Sequence, residues 1–283
     1  MSMHDGKQAQ AQMCPICGRI GDNLLIEHGK NYVIYRCSYC SGDFARTAVH
    51  LDYHGEIYQI GGDVVRDDYK VKVTSSPEKQ LGEGILNPEF KYALQFLGVL
   101  PAKSKLLDIG CGVGVFPKLA DELGAEVYAV DLAEEAIRYA RENYELTNAL
   151  VGTIDDVPPE WQNFDVITSF ETLEHIDKPR ELAEKIYKCL KPGGYFIMGV
   201  PNADRLRVKL RRRELSDYPP NHVIRWHKKT VRIFLTDLGF INIALEIDDI
   251  GFIKHYILLP AHEYPTSSQA REIRGISYIP PTA

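Results

Sequence analysis

Long apolar runs are missing from this chain of 283 residues. No hydrophobic stretch approaches the roughly 20 residues a bilayer-crossing helix needs, so no membrane span is expected. The polar start, MSMHDGKQAQAQM, lacks the apolar core of a secretion signal, which predicts a soluble cytoplasmic protein. Excess basic charge is missing too. The 33 Lys and Arg face 39 Asp and Glu, a net charge of −6, which argues against sequence-independent DNA binding. No internal repeat is evident. What remains, 45% hydrophobic and 25% charged, is an ordinary globular composition with room for one large or two modest domains.

Cysteine is sparse, but four of the six are ordered. Cys14, Cys17, Cys37 and Cys40 read C-x2-C-x19-C-x2-C. Each C-x2-C turn aims two sulfurs at one centre, and two such turns complete a tetrahedron around a soft divalent ion. Pro15 stiffens the first turn, and Gly18 permits a left-handed residue after it. This predicts a small N-terminal zinc ribbon over residues 1–47, with tetrathiolate iron or a redox pair as alternatives. A closed set of four thiolates leaves no open coordination position, so the metal's role is structural. A segment of about 40 residues buries too little to fold unaided, and metal binding supplies the missing energy. The intervening NYVIYRC alternates as a strand. Cys189, in ELAEKIYKCLK, reads as a small buried apolar residue.

Residues 48–86 form a Tyr-rich, charged connector or a lid. From 87 to 259 helical and strand patterns alternate, which predicts an α/β, Rossmann-like, doubly wound domain. Seven strands are expected: SKLLDIG, AEVYAVD, NALVG, FDVITSF, YFIMGVP, INIALEI and FIKHYILL. An insertion over about 202–227 falls after the fifth. The polar, proline-rich tail 260–283 is a disordered end or an arm across a partner.

The first strand ends in LLDIGCGVGVF. Asp108 precedes Gly110, Gly112 and Gly114, whose missing side chains let a ligand approach the backbone at a helix start. Asp131 ends the second strand, placed for a ribose. Asp155 and Asp156, in IDDVP, follow the third strand, where an adenine amino group can be held. A ligand with a ribose, an adenine and a cationic tail suits this acidic rim; a pyrophosphate does not.

Together LLDIGCGVGVF, VYAVDL, IDDVP, FDVITSFETLEHIDKP and LKPGGYFIMGVPN resemble a class I S-adenosylmethionine-dependent methyltransferase. The resemblance implies that the sheet ends in an antiparallel hairpin. It implies that Asp108, Gly110, Cys111, Gly112 and Gly114 line the methionine portion, and that Asp131 and Leu132 hold the ribose. Asp155 and Asp156 flank the adenine, and Phe170 lies beside the cofactor at the end of strand four. The whole chain resembles a narrower group with a four-cysteine N-terminal module, whose members tailor sugars and other small metabolites.

The catalytic candidates lie in FETLEHI. If that segment is helical, Glu171, Glu174 and His175 share one face. His175 then serves as a general base, or the three bind a second divalent metal with His222 of PPNHVIRWH, or they only close a turn. E-x-x-E-H resembles the metal-binding motif of ubiquinone-biosynthesis O-methyltransferases and small-RNA 2′-O-methyltransferases. RLRVKLRRR, Arg205 to Arg213, is a solvated helix face or an anion-binding wall. The expected function is O-methylation of a small-molecule acceptor, such as a sugar, a nucleotide-sugar or another anionic metabolite. The alternatives are an RNA methyltransferase, which the acidic net charge weighs against, and a non-catalytic cofactor-binding or scaffold protein.

Overall fold

The computed structural model describes residues 9–48, 77–203, 218–247, 253–254 and 259–260. Most of the connector, the basic run Arg205–Arg213 and the tail beyond 260 lie outside the described residues.

The chain opens as an antiparallel meander of β1 (Ala9–Met13), β2 (Ile20–His28), β3 (Tyr32–Arg36) and β4 (Asp43–Thr47). Each C-x2-C turn joins two antiparallel neighbours, β1 to β2 and β3 to β4. A meander reverses at every turn, so both cysteine pairs fall at the same end of the sheet.

Two helices follow, α1 (Pro77–Leu86) and α2 (Pro88–Leu97). The first lies inside the stretch expected to be a connector. It packs through Gly84, where a Cβ would stand 2.5 Å from Val115. The second is started by Asn87, whose side chain accepts from the Glu89 N–H, with Pro88 at the first helical position.

The α/β unit then runs β5 (Lys105–Ile109), α3 (Val115–Glu122), β6 (Glu126–Asp131), α4 (Glu134–Tyr144), β7 (Ala149–Val151), β8 (Phe164–Phe170), α5 (Pro179–Cys189) and β9 (Leu190–Val200). It continues through β10 (Ile224–Arg225), α6 (Lys228–Asp237), β11 (Phe240–Ile241), β12 (Glu246–Ile247), β13 (Ile253–Lys254) and β14 (Leu259–Pro260). The central sheet has the order β12-β13-β9-β8-β5-β6-β7. Strands β5 to β9 are parallel, while β13 and β12 add antiparallel pairs at one edge.

A parallel sheet covered on both faces needs strands that are apolar throughout. Leu106 and Leu107 of β5, Val166 and Ile167 of β8, and Phe196 and Ile197 of β9 are all fully buried. Helix α4 covers the sheet with Ala136, Ile137, Ala140 and Tyr144, which share one face. The chain builds outward from β5 through β6 to β7, then returns to place β8 on the other side of β5. That reversal opens a crevice above the carboxyl ends of β5 and β8, where such sheets bind ligands.

One strand does not stay with its domain. β10 pairs with β4 of the cysteine module, Ile224 opposite Phe44 and Arg225 opposite Asp43. A single apolar core runs from Ile16 and Phe44 of the module to Trp226, Phe234 and Phe196 of the α/β unit. No helix among the described residues is long and apolar enough to cross a membrane.

Candidate active site

A cleft of about 330 Å³ lies over the crevice, in the range of small-ligand sites. It reaches from Asp131, Leu132 and Asp155 on one side to Glu171, Thr172 and His175 on the other. The three glycines of the first turn do different work there. Gly110 has φ +75°, and the Thr172 side chain occupies the space a Cβ would take. Gly112 has φ +53° and nothing within 4 Å of its would-be Cβ, so any side chain would project into open space at the cleft. Gly114 has φ +85° and packs against Ala140 and Leu146, outside the cleft lining.

The backbone donors of this turn are already engaged. Gly110 and Cys111 donate to the Val130 carbonyl at 2.9 and 3.1 Å, and Gly112 donates to Asp131 Oδ2 at 2.8 Å. The turn therefore offers shape more than an array of N–H groups, unlike a phosphate cradle.

Asp131 is also held by the Ala133 N–H on Oδ1, at 2.8 Å. Each oxygen keeps a second lone pair, which suits two ribose hydroxyls. Burial raises its carboxyl above the usual range, against these two backbone bonds. Asp108 lies beneath the turn, accepting from the Thr168 hydroxyl at 2.6 Å. Burial, opposed by that bond and reinforced by the charge of Asp131, pushes it up to about 7.

Asp155 lines the cleft and pairs with Lys185 at 2.5 Å. Asp156 does not enter it. Its carboxylate accepts from the Thr153 N–H and hydroxyl at 2.8 and 3.0 Å, closing a capping box. Phe170 is turned into the core between Phe90 and Phe116, with ring centroids 5.3 and 4.8 Å away. Apolar walls that the sequence reading passed over come from Ile154, Ile176 and Leu182. No polar pattern marks these residues in the sequence; the helical spacing of α5 is the signal for Leu182.

FETLEHI is not a continuous helix. β8 ends at Phe170, Glu171 takes φ +49°, and Leu173–His175 form one 3-10 turn. Glu171 therefore leaves in its own direction and lines the cleft. Glu174 and His175 instead meet His222, all three offering ligand atoms within 4.8 Å of one another. Glu174 is 1% exposed, with Oε1 3.8 Å from His175 Nε2. The His175 and His222 rings meet edge to face at 4.7 Å. His175 Nδ1 lies 2.8 Å from the Asn221 carbonyl, which assigns its proton to Nδ1 and the lone pair to Nε2. Burial pushes the imidazole down to about 4.

The four cysteines converge as their spacing predicts. All are buried, with Sγ atoms 3.8 Å apart for Cys14 and Cys40 and 3.7 Å for Cys17 and Cys37. A tetrahedron with bonds of about 2.3 Å has edges of about 3.8 Å. The crowded neighbouring thiols pull the Cys17 thiol down and push the Cys14 thiol up. Of the other thiols, Cys189 is buried, and burial raises it.

A parallel sheet with a glycine turn, an acid ending the next strand and a cleft at the reversal defines a nucleoside-binding α/β enzyme. Residues 86–245 match the family model described as a methyltransferase domain. The chain belongs to that family, and its α/β unit is a class I S-adenosylmethionine-dependent methyltransferase domain. The ubiquinone biosynthesis O-methyltransferase of Idiomarina loihiensis is 35% identical over 105 residues, 35% of this chain and 42% of that one. The mitochondrial enzyme of that name from Schizosaccharomyces pombe is 34% identical over 100 residues, 33% of this chain and 36% of its own. The match thus spans less than half the length of these relatives. Two solved structures share the fold, each with a TM-score of 0.52. The plantazolicin methyltransferase BpumL, in complex with SAH, is 16% identical over 68% of this chain and 93% of its own. A protein from Pyrococcus horikoshii OT3 is 23% identical over 70% of this chain and all of its own.

The acid beneath the glycine turn has a consequence for pH. Asp108 titrates near 7 in the fold and near 3.9 unfolded, so its contribution favours the fold at low pH and fades as pH rises through 7. Urea unfolding followed from about pH 4 to 8 should show this contribution lost progressively up to about pH 7 and constant above. A contribution that instead grew over that range would count against a raised carboxyl.

Proposed function

We propose that this protein transfers a methyl group from S-adenosylmethionine to a hydroxyl of a small-molecule acceptor. The observation that carries the reading is the cluster of Glu174, His175 and His222 beside the cleft. The proposed acceptor is a sugar or another anionic metabolite. The O-methyltransferase names of the relatives support oxygen as the methylated atom.

The cofactor supplies an activated methyl on a cationic sulfur. Asp131 would hold the ribose, Leu132 and Ile154 would pack the nucleoside, and Asp155 with Lys185 would form the polar rim. The remaining work is to align the acceptor in line with the methyl, which contributes up to roughly 7–11 kcal/mol, and to remove its proton. Glu174, His175 and His222 fit a divalent cation. The set offers a buried carboxylate and a neutral imidazole whose lone pair faces that carboxylate, with the other ring N–H fixed by a carbonyl. Bound there, a cation would supply Lewis-acid activation of the hydroxyl. Glu171, outside the cluster, is proposed to face the acceptor. The four-cysteine module is proposed to hold one structural zinc, supported by the sulfur spacing.

Elemental analysis of the purified protein should find about one zinc per chain that survives mild chelation. A mass-spectrometric screen with methyl-labelled S-adenosylmethionine should show transfer to hydroxylated small molecules, with sugars and nucleotide-sugars in the panel. Transfer to RNA instead would overturn the acceptor class. Absence of cofactor binding would overturn the reaction.

A further inference from the structure

Among the described residues, a short segment of chain links the cysteine module to the cluster of Glu174, His175 and His222. Residues 221–226 run between the two. On one side the Asn221 carbonyl fixes His175 Nδ1 at 2.8 Å, and the Val223 N–H donates to the Glu174 carbonyl at 2.9 Å. On the other side the Val223 carbonyl accepts from the Ala45 N–H of β4 at 2.7 Å. His222 sits between these bonds, in ring contact with His175.

Residues 225 and 227 cross-link this stretch of chain to the module by their side chains. Arg225 pairs with Glu27 of β2 at 2.9 Å. His227 Nε2 lies 3.3 Å from Asp43, which Arg36 also grips, at 2.6 Å. The second cysteine turn is seated directly on α6. A Cβ at Gly42 would stand 2.5 Å from Ile16 and 2.6 Å from Thr230. At the first turn, Arg180 of α5 donates to the Cys17 carbonyl at 3.3 Å. Where the four sulfurs hold β4, they hold the backbone that carries His222.

We propose that the four-cysteine module is a positioning element of the catalytic site: β4, fixed by metal on the four thiols, sets residues 221–223 and through them the geometry of His175, His222 and Glu174. The proposal deepens the function given above and rests on the four thiols binding metal. It makes two sites on opposite sides of one strand pair thermodynamically linked. The nucleoside end of the cleft, built on β5, β6 and β7, is outside this linkage, because none of those strands pairs with the module.

The test uses the full chain labelled at histidine and followed by NMR. When the thiol-bound metal is stripped by a strong chelator with a mercurial, the His175 and His222 ring signals should shift and broaden. S-adenosylmethionine affinity should stay within threefold. Unchanged histidine signals after verified metal loss would overturn the proposal. Ala45→Pro separates the linkage from metal loss, since it removes the N–H that reaches Val223 while leaving the thiols intact. It should retain its metal and its cofactor affinity, yet show the same histidine shifts and at least tenfold weaker binding of Mn²⁺ to the cluster. Ala45→Pro protein with native histidine signals would also overturn it. The underlying readings fail differently. A chain that never carries metal on its thiols refutes the zinc assignment, and histidine signals unmoved by Mn²⁺ in the wild type refute the cation assignment.

Discussion

Asp131→Ala is expected to weaken S-adenosylmethionine binding by about 100-fold. The figure follows from losing two hydrogen bonds to a charged acceptor at about 1.5 kcal/mol each. Both oxygens of Asp131 are oriented before any ligand arrives, by the N–H groups of Gly112 and Ala133. That preorganisation is why the loss should appear almost wholly in affinity. The same substitution frees the glycine turn from one of its ties to β6, so thermal stability should also fall, by about 1–2 kcal/mol as for a lost cap. Asp131→Asn keeps one oxygen acceptor and should fall between the two proteins. Calorimetric titration with S-adenosylmethionine or its demethylated product measures the effect. An alanine variant that binds within threefold of the parent would refute the ribose assignment.

Much of this site could be read from sequence because it is local. The glycine turn, the acid beneath it and the acid at the end of the next strand each sit where a strand stops. A strand's end is marked by its own residues, as when the apolar run KLLDI breaks at Gly110. The four cysteines were legible for a similar reason, since two short spacings state the geometry of each half-site. What those spacings could not convey was how the halves pack on the rest of the chain.

Some of the expected site residues lie outside the cleft lining, each for a local reason. Phe170 and Asp156 are each adjacent in sequence to a residue that lines the cleft, Glu171 and Asp155, but do not line it themselves. Phe170, the last residue of β8, packs into the aromatic cluster with Phe116, and the chain turns at Glu171 before Thr172 meets Gly110. Asp156 was spent locally on Thr153, a competition that short polar side chains often win at a turn. Glu171 was grouped with Glu174 by helical spacing, yet one left-handed residue at the end of β8 breaks that periodicity. β10 was invisible for a different reason. Two residues, Ile224 and Arg225, carry no period, and their partner strand lies some 180 positions earlier. Its existence is decided by long-range packing, with Trp226 buried beneath it against Phe234.

Glu174→Gln should lower methyl transfer by at least 10²-fold while leaving S-adenosylmethionine affinity within threefold. The carboxylate is buried at 1% exposure beside two histidines, an arrangement that stability alone does not favour. A buried carboxylate costs several kcal/mol in desolvation, and an apolar or neutral side chain of the same shape avoids it. The fold tolerates that cost next to the cleft, the pattern of a residue kept for chemistry. Two bonds of about 2.0–2.2 Å to one ion span ligand atoms at most about 4.4 Å apart. The 3.8 Å between Glu174 Oε1 and His175 Nε2 falls within this reach. Glutamine preserves shape and one carbonyl oxygen but removes the charge that both a cation and an imidazolium require. The melting temperature should therefore hold or rise as activity falls, a pairing that simple damage to the fold does not produce. Mn²⁺ binding followed by electron paramagnetic resonance distinguishes the two roles of the carboxylate. Loss of binding together with activity identifies a cation ligand, and loss of activity with binding intact identifies a partner that orients the His175 base. Transfer at the parental rate in Glu174→Gln would refute both.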